Sequence, residues 1–453
     1  MSLTKQSKRL FGTNGVRGVI GKDMTPDIML NLGAALGSMR NGTIAVGRDT
    51  RTSGPALSHA LKSGLLLTGC DVVDCGVLPT PALQYLVREH YDAGAMITAS
   101  HNPPEYNGLK IIEPDGTEMG DDATIELENR YFSKSFTIQP WDSVGTESDG
   151  SARLDEYISA IVSRFPPGIG KGLTVVADPG SGPAVLTTSR ILTRLGCTVH
   201  TINDQPDGKF PGRLPEPSVE GLKALSDAVV STKAAFGVAH DGDADRAVFV
   251  DEQGKYIEEN QEFGIIAEEI CSHDTGLVVT PVSTSQIIEK IAESHGSGVL
   301  YTPVGSIYVA RTMLDRIAAG EKVIFGGEGN GGLIFPDHQF CRDGGMTAAM
   351  MVRVLASRNL PLSSLVKKLP GNFMIKEKIH SDRSGDLINH IISSFPRLKT
   401  DRTDGVKISS PDSWALIRPS GTEPFIRVIV ESETRENAEK FHRELMSVIS
   451  TFS

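Results

Sequence analysis

The chain has 453 residues, more than one ordinary hydrophobic core organises, so we expect three or four domains. It is 39% hydrophobic and 22% charged, and no apolar run approaches the roughly 18 residues of a membrane-spanning helix, which argues against a membrane protein. The formal net charge of −11 opposes binding to nucleic acid, although a local cluster of Arg and Lys can still hold a phosphate.

The N-terminal segment MSLTKQSKRLFG carries basic residues without an apolar stretch or a small-residue cleavage site behind them. It is therefore not expected to be a secretory signal, and the expected location is the cytoplasm. The five cysteines are odd in number and form no C-x-x-C pair, so neither a disulfide framework nor a zinc site is predicted.

An internal repeat organises most of the chain. Residues 43–76 predict a strand, a polar loop, a helix, a Gly-Cys turn and a second strand, and residues 173–203 follow the same order. A weaker third copy spans residues 276–296. We therefore expect three tandem α/β domains with mixed or parallel sheets.

The pattern changes after about residue 370. Strands are predicted at FMIKEKIH, VKIS, SWALI and FIRVIVES, and helices at SGDLINHIISSF and TRENAEKFHRELMSVIS. This is a C-terminal α+β domain, and we expect the four domains to surround a central cleft. The predicted domains are residues 1–150, 151–255, 256–370 and 371–453.

The segment AGAMITASHNPPEYNGLKII (93–112) predicts a strand, an exposed loop and a second strand. Ser100 stands where the first strand ends, and the His-Asn-Pro-Pro that follows cannot continue a ladder. The serine is thus held on a turn that a substrate can reach. Taken alone, Ser100 and His101 are more often an ordinary turn serine and a structural histidine.

Three aspartates alternate with small residues between two predicted strands: Asp241, Asp243 and Asp245. In an extended loop this spacing projects the carboxylates to one side, as a compact set of hard oxygen ligands for a divalent cation. An EF-hand calcium loop is the rival, and Glu252 falls at its twelfth position. It fails because Arg246 stands at the sixth position, which requires Gly, and because strands flank the motif where helices should be.

The segment IFGGEGNGGLIFP (324–336) formally matches the G-x-G-x-x-G dinucleotide pattern. A helix should follow that pattern, but the following LIFPDH is short and contains Pro336, so the dinucleotide interpretation is weak. A hairpin turn is the plain alternative. In the functional one, a ligand approaches the bare backbone while Glu328 and Asn330 offer polar groups to sugar hydroxyls.

A second glycine-containing turn is predicted between the strands of segment 415–430. Five residues surround it: Arg418, Ser420, Gly421, Thr422 and Arg427. Guanidinium groups, hydroxyls and freed backbone N–H groups are typical of a site for a phosphate monoester. FGTNGVRG (11–18) gives a similar but weaker signal, with Arg17 on a Gly-flanked turn.

Together these loops resemble the α-D-phosphohexomutase superfamily over essentially the whole chain. The resemblance rests on four motifs in the order and spacing of that family: T-A-S-H-N-P (98–103), D-G-D-A-D-R (241–246), G-E-G-N-G (327–331) and R-P-S-G-T-E-P (418–424). It implies an enzyme that moves a phosphoryl group between the 1- and 6-positions of a sugar phosphate through a phosphoserine. Mg²⁺ would be its cofactor and a hexose 1,6-bisphosphate its intermediate and activator, in a monomer or homodimer.

The resemblance also implies a role for each matching residue. Four would hold Mg²⁺: Asp241, Asp243, Asp245 and the phosphorylated Ser100. Arg17 and Lys110 would line the transfer site, Lys110 taking a proton if its pKa is depressed, and His101 is a further catalytic candidate. The other matches would bind the substrate: Arg246, Glu328, Asn330, Arg418, Ser420, Gly421 and Thr422. Arg427, beside the same turn, is a further candidate for substrate binding. The turn at 418–422 would grip the phosphate that is not transferred, on a domain expected to move.

Within the superfamily, F-G-T-N-G-V-R-G and R-P-S-G-T-E-P are most similar to the phosphoglucosamine mutases of the archaeal type. A phosphomannomutase/phosphoglucomutase is the alternative, but its G-E-M-S-G-H pattern differs here at Gly329, Asn330 and Gly332. A metal-dependent phosphatase and a non-catalytic sugar-phosphate sensor are remote alternatives. A sensor would be expected to lack Ser100 or a metal ligand, and this chain has them all.

Overall fold

A computed structural model describes residues 10–12, 15–380, 383–410, 412–419 and 425–452 of the chain. The chain divides into two compact units, Met1–Glu262 with Asn330–Val366, and Phe263–Gly329 with Lys367–Ser453. Among the described residues, the helices are all too short or too polar to cross a membrane.

The first unit begins with a six-stranded sheet. Its strands are β1 (Val16–Val19), β2 (Thr43–Arg48), β3 (Asp71–Val77), β4 (Ala93–Ile97), β5 (Tyr106–Ile112) and β6 (Glu147–Asp149). Its helices are α1 (Pro26–Met39), α2 (Gly54–Leu67), α3 (Thr80–His90) and α4 (Asp121–Ser133). The order is β1-β5-β4-β2-β3-β6, with β2 parallel to β3 and β4, and β5 antiparallel to β4 and β1. Every residue of β4 is buried, as its unbroken apolar sequence requires in a covered parallel sheet.

A second sheet of the first unit has four strands. They are β7 (Thr174–Asp178), β8 (Thr198–Thr201), β9 (Phe236–His240) and β10 (Ala247–Asp251). The helices around it are α5 (Leu154–Val162), α6 (Thr188–Arg194), α7 (Lys223–Thr232) and the start of α8 (Glu259–Cys271). In the order β10-β9-β7-β8, β7 is parallel to both neighbours and β10 is antiparallel to β9. The short β9–β10 connection presents the aspartate motif at one end of this sheet.

The second unit begins with parallel strands in the order β12-β11-β13. They are β11 (Leu277–Pro281), β12 (Gly298–Thr302) and β13 (Val323–Glu328), with helices α9 (Ile287–Ser294) and α10 (Ser306–Ala318). The chain then returns to the first unit through β14 (Gly332–Ile334), α11 (Gly344–Arg358) and α12 (Leu362–Val366). Because a strand follows the glycine-rich turn, a dinucleotide-binding motif is excluded there.

The C-terminal part of the second unit is an antiparallel sheet with helices on one face. Its elements are β15 (Phe373–His380), α13 (Ser384–Ser394), β16 (Lys399–Asp401), β17 (Val406–Ser409), β18 (Ser413–Pro419), β19 (Phe425–Ser432) and α14 (Arg435–Ser450). The strand order is β15-β19-β18-β17-β16. Alternate strand residues such as Ile417, Val428 and Val430 form a core with Leu445 of α14. The residues between them therefore project from the opposite face of the sheet.

The predicted repeat is confirmed in all three copies. Each is a strand, a helix and a second strand parallel to the first: β2-α2-β3, β7-α6-β8 and β11-α9-β12. The α/β class and the C-terminal α+β sheet are confirmed as well. The short edge strand β16 was not predicted, because three residues are too few to show an alternating pattern.

Candidate functional site

Two loops of the first unit meet at Ser100. The serine lies three residues beyond β4, is 1% exposed, and has a backbone φ of 48°. Its Oγ donates a hydrogen bond of 2.8 Å to Asp241 Oδ2, in the loop between β9 and β10. The left-handed conformation is uncommon for a residue with a Cβ and is a frequent mark of functional turns.

The three aspartates of this loop converge. Asp241, Asp243 and Asp245 are fully or almost fully buried, and each offers a carboxylate oxygen within 4.8 Å of the other two. The prediction of a cluster is therefore confirmed, but the extended geometry given as its reason is wrong. The loop is turned, with Ala244 at a φ of 59°, and the turn brings together carboxylates that an extended chain would hold further apart.

Lys110, on β5, lies against two of these aspartates. Its Nζ donates to Asp243 Oδ2 at 2.9 Å and to Asp245 Oδ2 at 3.1 Å, and Thr80 Oγ1 donates to the same Asp243 oxygen at 2.7 Å. Burial lowers the pKa of Lys110, but the attraction of Asp243, Asp245 and Glu118 outweighs burial and raises it. The carboxylates stabilise the ammonium form of Lys110, so its pKa is not depressed. The proton-accepting role predicted for Lys110 required a depressed pKa, and this arrangement does not support it.

The second oxygen of two aspartates has no hydrogen-bond partner. Asp243 Oδ1 and Asp245 Oδ1 are buried, and neither is bonded to any other described residue. Burying carboxylate oxygens without partners is costly. Buried oxygens from adjacent carboxylates are the hard ligands that Mg²⁺ prefers, so the site fits a divalent cation.

Two arginines complete the surroundings of the aspartates. Arg246 Nε donates to Asp241 Oδ2 at 3.2 Å, while its two terminal nitrogens donate to Glu216 at 3.1 and 2.9 Å. Arg342, which precedes α11, lies 2.5 Å from Asp245 Oδ2. Sequence analysis missed Arg342 and Glu216. A cation beside an acidic residue in the C-R-D-G-G segment, directly before the apolar sequence of α11, was the available signal for Arg342.

The aspartates differ in their proton affinity. Burial and the charges of Asp245 and Asp243 raise the pKa of Asp241 to about 7, although Arg246 opposes the shift. For Asp243 and Asp245, burial raises the pKa, but nearby cations outweigh it and lower the pKa: chiefly Lys110 for Asp243 and Arg342 for Asp245. Asp241 therefore controls how the cluster's charge changes near neutral pH.

Arg17 and His101 lie beside the same loop. Arg17 Nη1 donates to Asn102 Oδ1 at 2.8 Å, and burial lowers its pKa against the attraction of Asp243 and Asp245. His101 Nδ1 is 3.4 Å from Ser100 Oγ, with nearly half of its side chain exposed. Partial burial and the charge of Arg246 lower the pKa of His101 to about 4, so its ring is neutral at pH 7.

The boundary between the two units falls within the glycine-rich turn, after Gly329. Glu328 is the last residue of β13 and is 6% exposed. Asn330 is half-buried, and its Oδ1 accepts a hydrogen bond of 3.1 Å from the Gly332 N–H, so this oxygen supports the turn. Of the residues predicted around the second turn, Ser420, Gly421 and Thr422 lie outside the described residues.

A row of cations crosses the C-terminal sheet beside that second turn. Arg418 on β18 is directly opposite Arg427 on β19, which is directly opposite Lys378 on β15. Opposed residues of antiparallel strands project to the same face, where like charges repel. Asp404 Oδ2 accepts a hydrogen bond of 2.7 Å from Arg418 Nε. The row is thus a concentration of positive charge at the edge of the turn.

Four family descriptions match successive parts of the chain. They are "Phosphoglucomutase/phosphomannomutase, alpha/beta/alpha domain I" over residues 8–138, domain II over 155–254, domain III over 258–373, and the C-terminal domain over 382–448. A solved structure of a phosphoglucomutase/phosphomannomutase family protein from Burkholderia thailandensis superposes with a TM-score of 0.87 at 27% identity, covering 98% of each chain.

Curated relatives match over almost their full length. A phosphoglucomutase/phosphomannomutase of Thermococcus kodakarensis is 41% identical, covering 96% of each chain. A probable phosphoglucosamine mutase of Methanopyrus kandleri is 39% identical, over 97% of this chain and 98% of its own. A phosphoglucosamine/phosphogalactosamine mutase of Sulfurisphaera tokodaii is 36% identical, over 97% and 99%.

Proposed function

The chain belongs to the phosphoglucomutase/phosphomannomutase family and is a phosphohexomutase, an intramolecular phosphotransferase, and we propose that its substrate is glucosamine phosphate. It would interconvert the 1- and 6-phosphates of the amino sugar through a hexose 1,6-bisphosphate. The observation that carries the proposed phosphoryl transfer is the 2.8 Å hydrogen bond between Ser100 Oγ and Asp241 Oδ2 within a cation-compatible cluster. This contact places a hydroxyl nucleophile beside a prospective metal ligand.

In the proposed reaction, phosphorylated Ser100 passes its phosphoryl group to a free hydroxyl of the sugar monophosphate. The bond between phosphorus and Ser100 Oγ breaks, a bond to the sugar oxygen forms, and the hydroxyl proton leaves. His101 is the candidate for exchanging that proton, since its Nδ1 lies 3.4 Å from Ser100 Oγ. The bisphosphate then turns end over end, and its other phosphoryl group returns to Ser100.

Charge neutralisation is the main task of the protein in such a transfer. We propose that Asp241, Asp243 and Asp245 hold Mg²⁺ together with the phosphoserine. When bound, Mg²⁺ supplies positive charge to the phosphoryl oxygens. Lys110 and Arg17 add fixed positive charge, Lys110 because its two carboxylate neighbours keep it protonated.

The phosphate that is not reacting would be gripped by the C-terminal domain. The row formed by Arg418, Arg427 and Lys378 supports this role, because aligned guanidinium and ammonium groups can donate to a phosphate, in addition to the bond from Arg418 to Asp404. Ser420, Gly421 and Thr422 would contribute hydroxyl and backbone N–H donors, as the resemblance implies. Glu328, Asn330 and Arg246 would contact the sugar.

Glucosamine is proposed over glucose and mannose on two grounds. The glycine-rich turn has the sequence that resembles the archaeal-type phosphoglucosamine mutases, and relatives at 39% and 36% identity carry glucosamine in their names. The relative at 41% identity is named phosphoglucomutase/phosphomannomutase, which keeps that activity as the second candidate. A pocket that only fits the shape of the C2 substituent discriminates by roughly 1–3 kcal/mol, so some turnover of the other sugars is expected.

The test is ³¹P NMR of the purified chain with Mg²⁺ and a trace of hexose 1,6-bisphosphate. Glucosamine, glucose and mannose 1-phosphates are offered in parallel, and we expect the fastest conversion for the glucosamine compound. Faster conversion of the hexose phosphates would transfer the assignment to phosphoglucomutase/phosphomannomutase. Release of inorganic phosphate alone would indicate a phosphatase, and binding without turnover would indicate a sensor.

A pair of variants tests the nucleophile. Ser100→Ala should abolish both turnover and incorporation of phosphate into the protein, because it removes the hydroxyl that lies beside Asp241. Ser63→Ala is the matched control, since Ser63 is an exposed helix serine bonded only to the His59 carbonyl. Turnover by Ser100→Ala at the rate of the control would contradict the mechanism.

We propose a cytoplasmic reaction by a monomer or homodimer, stimulated by the 1,6-bisphosphate. We also propose four domains with boundaries near residues 150, 255 and 370, a division supported by the four sheets. Limited proteolysis tests these boundaries, because we expect the protease to cut the chain first near them.

A further inference from the structure

A buried ion pair lies directly behind the serine loop. Asp49 follows β2, Arg51 comes two residues later, and neither side chain is exposed to solvent. Arg51 Nε donates to Asp49 Oδ2 at 3.0 Å, and the Arg51 backbone N–H donates to Asp49 Oδ1 at 2.9 Å. A buried ion pair is weak evidence for stability, because desolvating its charges offsets much of their attraction.

The remaining donors of Arg51 all bind the backbone of one loop. Nη1 donates to the carbonyls of Pro103 and Tyr106 at 2.6 and 2.9 Å. Nη2 donates to the carbonyls of Ser100 and Asn102 at 2.7 and 2.6 Å. A guanidinium has five N–H groups, so with the bond to Asp49 each one has its own acceptor. One side chain thus satisfies four carbonyls of the serine loop.

Thr98 connects the pair to the amide of Ser100. Its Oγ1 donates to Asp49 Oδ2 at 2.7 Å and accepts from the Ser100 N–H at 2.8 Å. The amide and the carbonyl of Ser100 are therefore both held by Asp49 and Arg51, one directly and one through a single hydroxyl. This accounts for the left-handed φ of 48°, a conformation that persists where the surroundings over-determine it.

The second α/β repeat has a counterpart. Asp178 ends β7 as Asp49 follows β2, and Arg213 Nε donates to Asp178 Oδ2 at 2.8 Å. Arg213 Nη2 donates to the carbonyl of His240 at 2.7 Å, one residue before Asp241. The two buried pairs therefore hold different loops, one the serine loop and the other the start of the aspartate loop.

We propose that Arg51, supported by Asp49, is the positioning residue of phosphoryl transfer: it aims Ser100 Oγ at the transfer position without touching the substrate. The inference rests on the proposed role of Ser100 as the phosphorylated residue. Lysine cannot replace Arg51 in this role. Its ammonium has three donors and no planar fork, so at least two of the five acceptors of Arg51 would lose their partners.

The test measures transfer of ³²P from hexose 1,6-bisphosphate to Ser100 in a single turnover. In Arg51→Lys we expect this rate to fall by about 10²-fold, because displacing a reacting group by about 1 Å costs that much. In the unphosphorylated protein the Kd for Mg²⁺ should keep its wild-type value, since the three aspartates remain. The KM for the sugar phosphate should also be unchanged, since the residues that bind it remain. A merely structural role would change all three quantities together.

Arg213→Lys is the matched control, an equally conservative change in the counterpart pair. It should weaken Mg²⁺ binding, because its loop carries Asp241. Thr98→Val keeps Arg51 in place and removes only the bridging hydroxyl. If Arg51→Lys does not fold, as the absence of a cooperative unfolding transition would show, Thr98→Val tests the proposal in its place. Thr98→Val should slow ³²P transfer and leave the Mg²⁺ affinity unchanged.

The outcomes separate this inference from the proposed function. If the wild-type chain takes up no ³²P at Ser100, the proposed function fails. If the wild type is labelled and folded Arg51→Lys or Thr98→Val is labelled equally fast, the positioning role alone is overturned. Loss of Mg²⁺ affinity in Arg51→Lys comparable to that in Arg213→Lys would also overturn it.

Discussion

Ser100 Oγ donates its proton to Asp241 Oδ2 at 2.8 Å, across a separation of 141 residues along the chain. Phosphorylation of Ser100 removes that proton, so this hydrogen bond cannot exist in the phosphorylated form. Two anions would then face each other in a buried site, which is unfavourable unless a cation lies between them. We therefore expect phosphorylation of the serine and occupancy of the cation site to be linked.

Binding of Mg²⁺ should depend on pH near neutrality. The pKa of Asp241 is raised to about 7, and its carboxyl must lose a proton before it can hold the metal. The Kd for Mg²⁺ should therefore rise about fivefold between pH 7 and pH 6, because half of the carboxyl is already protonated at pH 7. Isothermal calorimetry in buffers of different ionisation enthalpy should detect a released proton. A Kd that stays constant from pH 6 to 8 would contradict this assignment.

The Asp241 carboxyl should make the metal-free folded state less stable as the pH rises, whereas a salt-bridged aspartate makes the folded state more stable. The folded pKa of Asp241 lies above the unfolded value, so between about pH 4 and 7 the metal-free folded state binds the extra proton. Its contribution to the free energy of unfolding therefore falls as pH rises through this window. Saturating Mg²⁺ should reverse the loss at pH 7, which thermal unfolding with and without the metal would measure.

Variants of Lys110 and His101 should separate charge from proton transfer. Lys110→Met removes a permanent positive charge, so we expect a lower kcat with the shape of the pH profile unchanged. His101→Gln should lower kcat by about 10²-fold or more and alter the profile, as loss of a proton carrier does. His59→Gln, an exposed histidine on α2, is the control. If Lys110→Met changed the pH profile and His101→Gln did not, proton transfer would be assigned to Lys110 and not to His101.

Arg342 should tune the metal site through Asp245. Its guanidinium lies 2.5 Å from Asp245 Oδ2, while Oδ1 of the same carboxylate has no partner among the described residues. Removing an outer partner of a metal ligand typically costs 10- to 100-fold in affinity or activity. In Arg342→Gln we expect the half-saturating Mg²⁺ concentration to rise by about tenfold. Arg342→Lys keeps the charge and should lose less, and equal losses would argue against an electrostatic role.

Gly242 should be required for space. A Cβ at this position would lie 2.3 Å from the Ser100 carbonyl oxygen, which Arg51 already holds from another direction. Gly242→Ala should therefore displace the serine loop and slow labelling of Ser100. Gly120→Ala is the control, since no heavy atom lies within 4 Å of its added Cβ. Labelling of both variants at the wild-type rate would contradict the proposed contact.

Removing one charge from the cation row should weaken the binding of sugar phosphates without lowering the stability of the fold. Directly opposed like charges are destabilising, so Arg427→Gln should leave the Tm unchanged or raise it. The same change should raise the KM for sugar phosphates and weaken its dependence on salt. Lys440→Gln, an exposed change on α14, should leave both unchanged. A KM for Arg427→Gln equal to that of the control would exclude the row from phosphate binding.

Local patterns were sufficient for the elements and the motifs. The three strand-helix-strand repeats, the turn serine and the aspartate cluster follow from hydrophobic periodicity and from residue types within a few positions of one another. The same reasoning described the aspartate loop as extended, whereas Ala244 turns it at a φ of 59°. Side-chain spacing along a sequence does not reveal such a turn when the residue is not glycine.

The sequence by itself determined the α/β repeats, the C-terminal α+β domain and the loops that carry Ser100 and the aspartates. Only the tertiary structure decided which groups surround them: Arg51 behind the serine loop, Arg342 against Asp245, and Lys110 between two carboxylates. The residues in these buried contacts are 49 to 135 positions apart in the sequence. Local sequence patterns therefore do not reveal them. Proton affinity and positioning depend on desolvation and on distances between side chains, and the fold sets both.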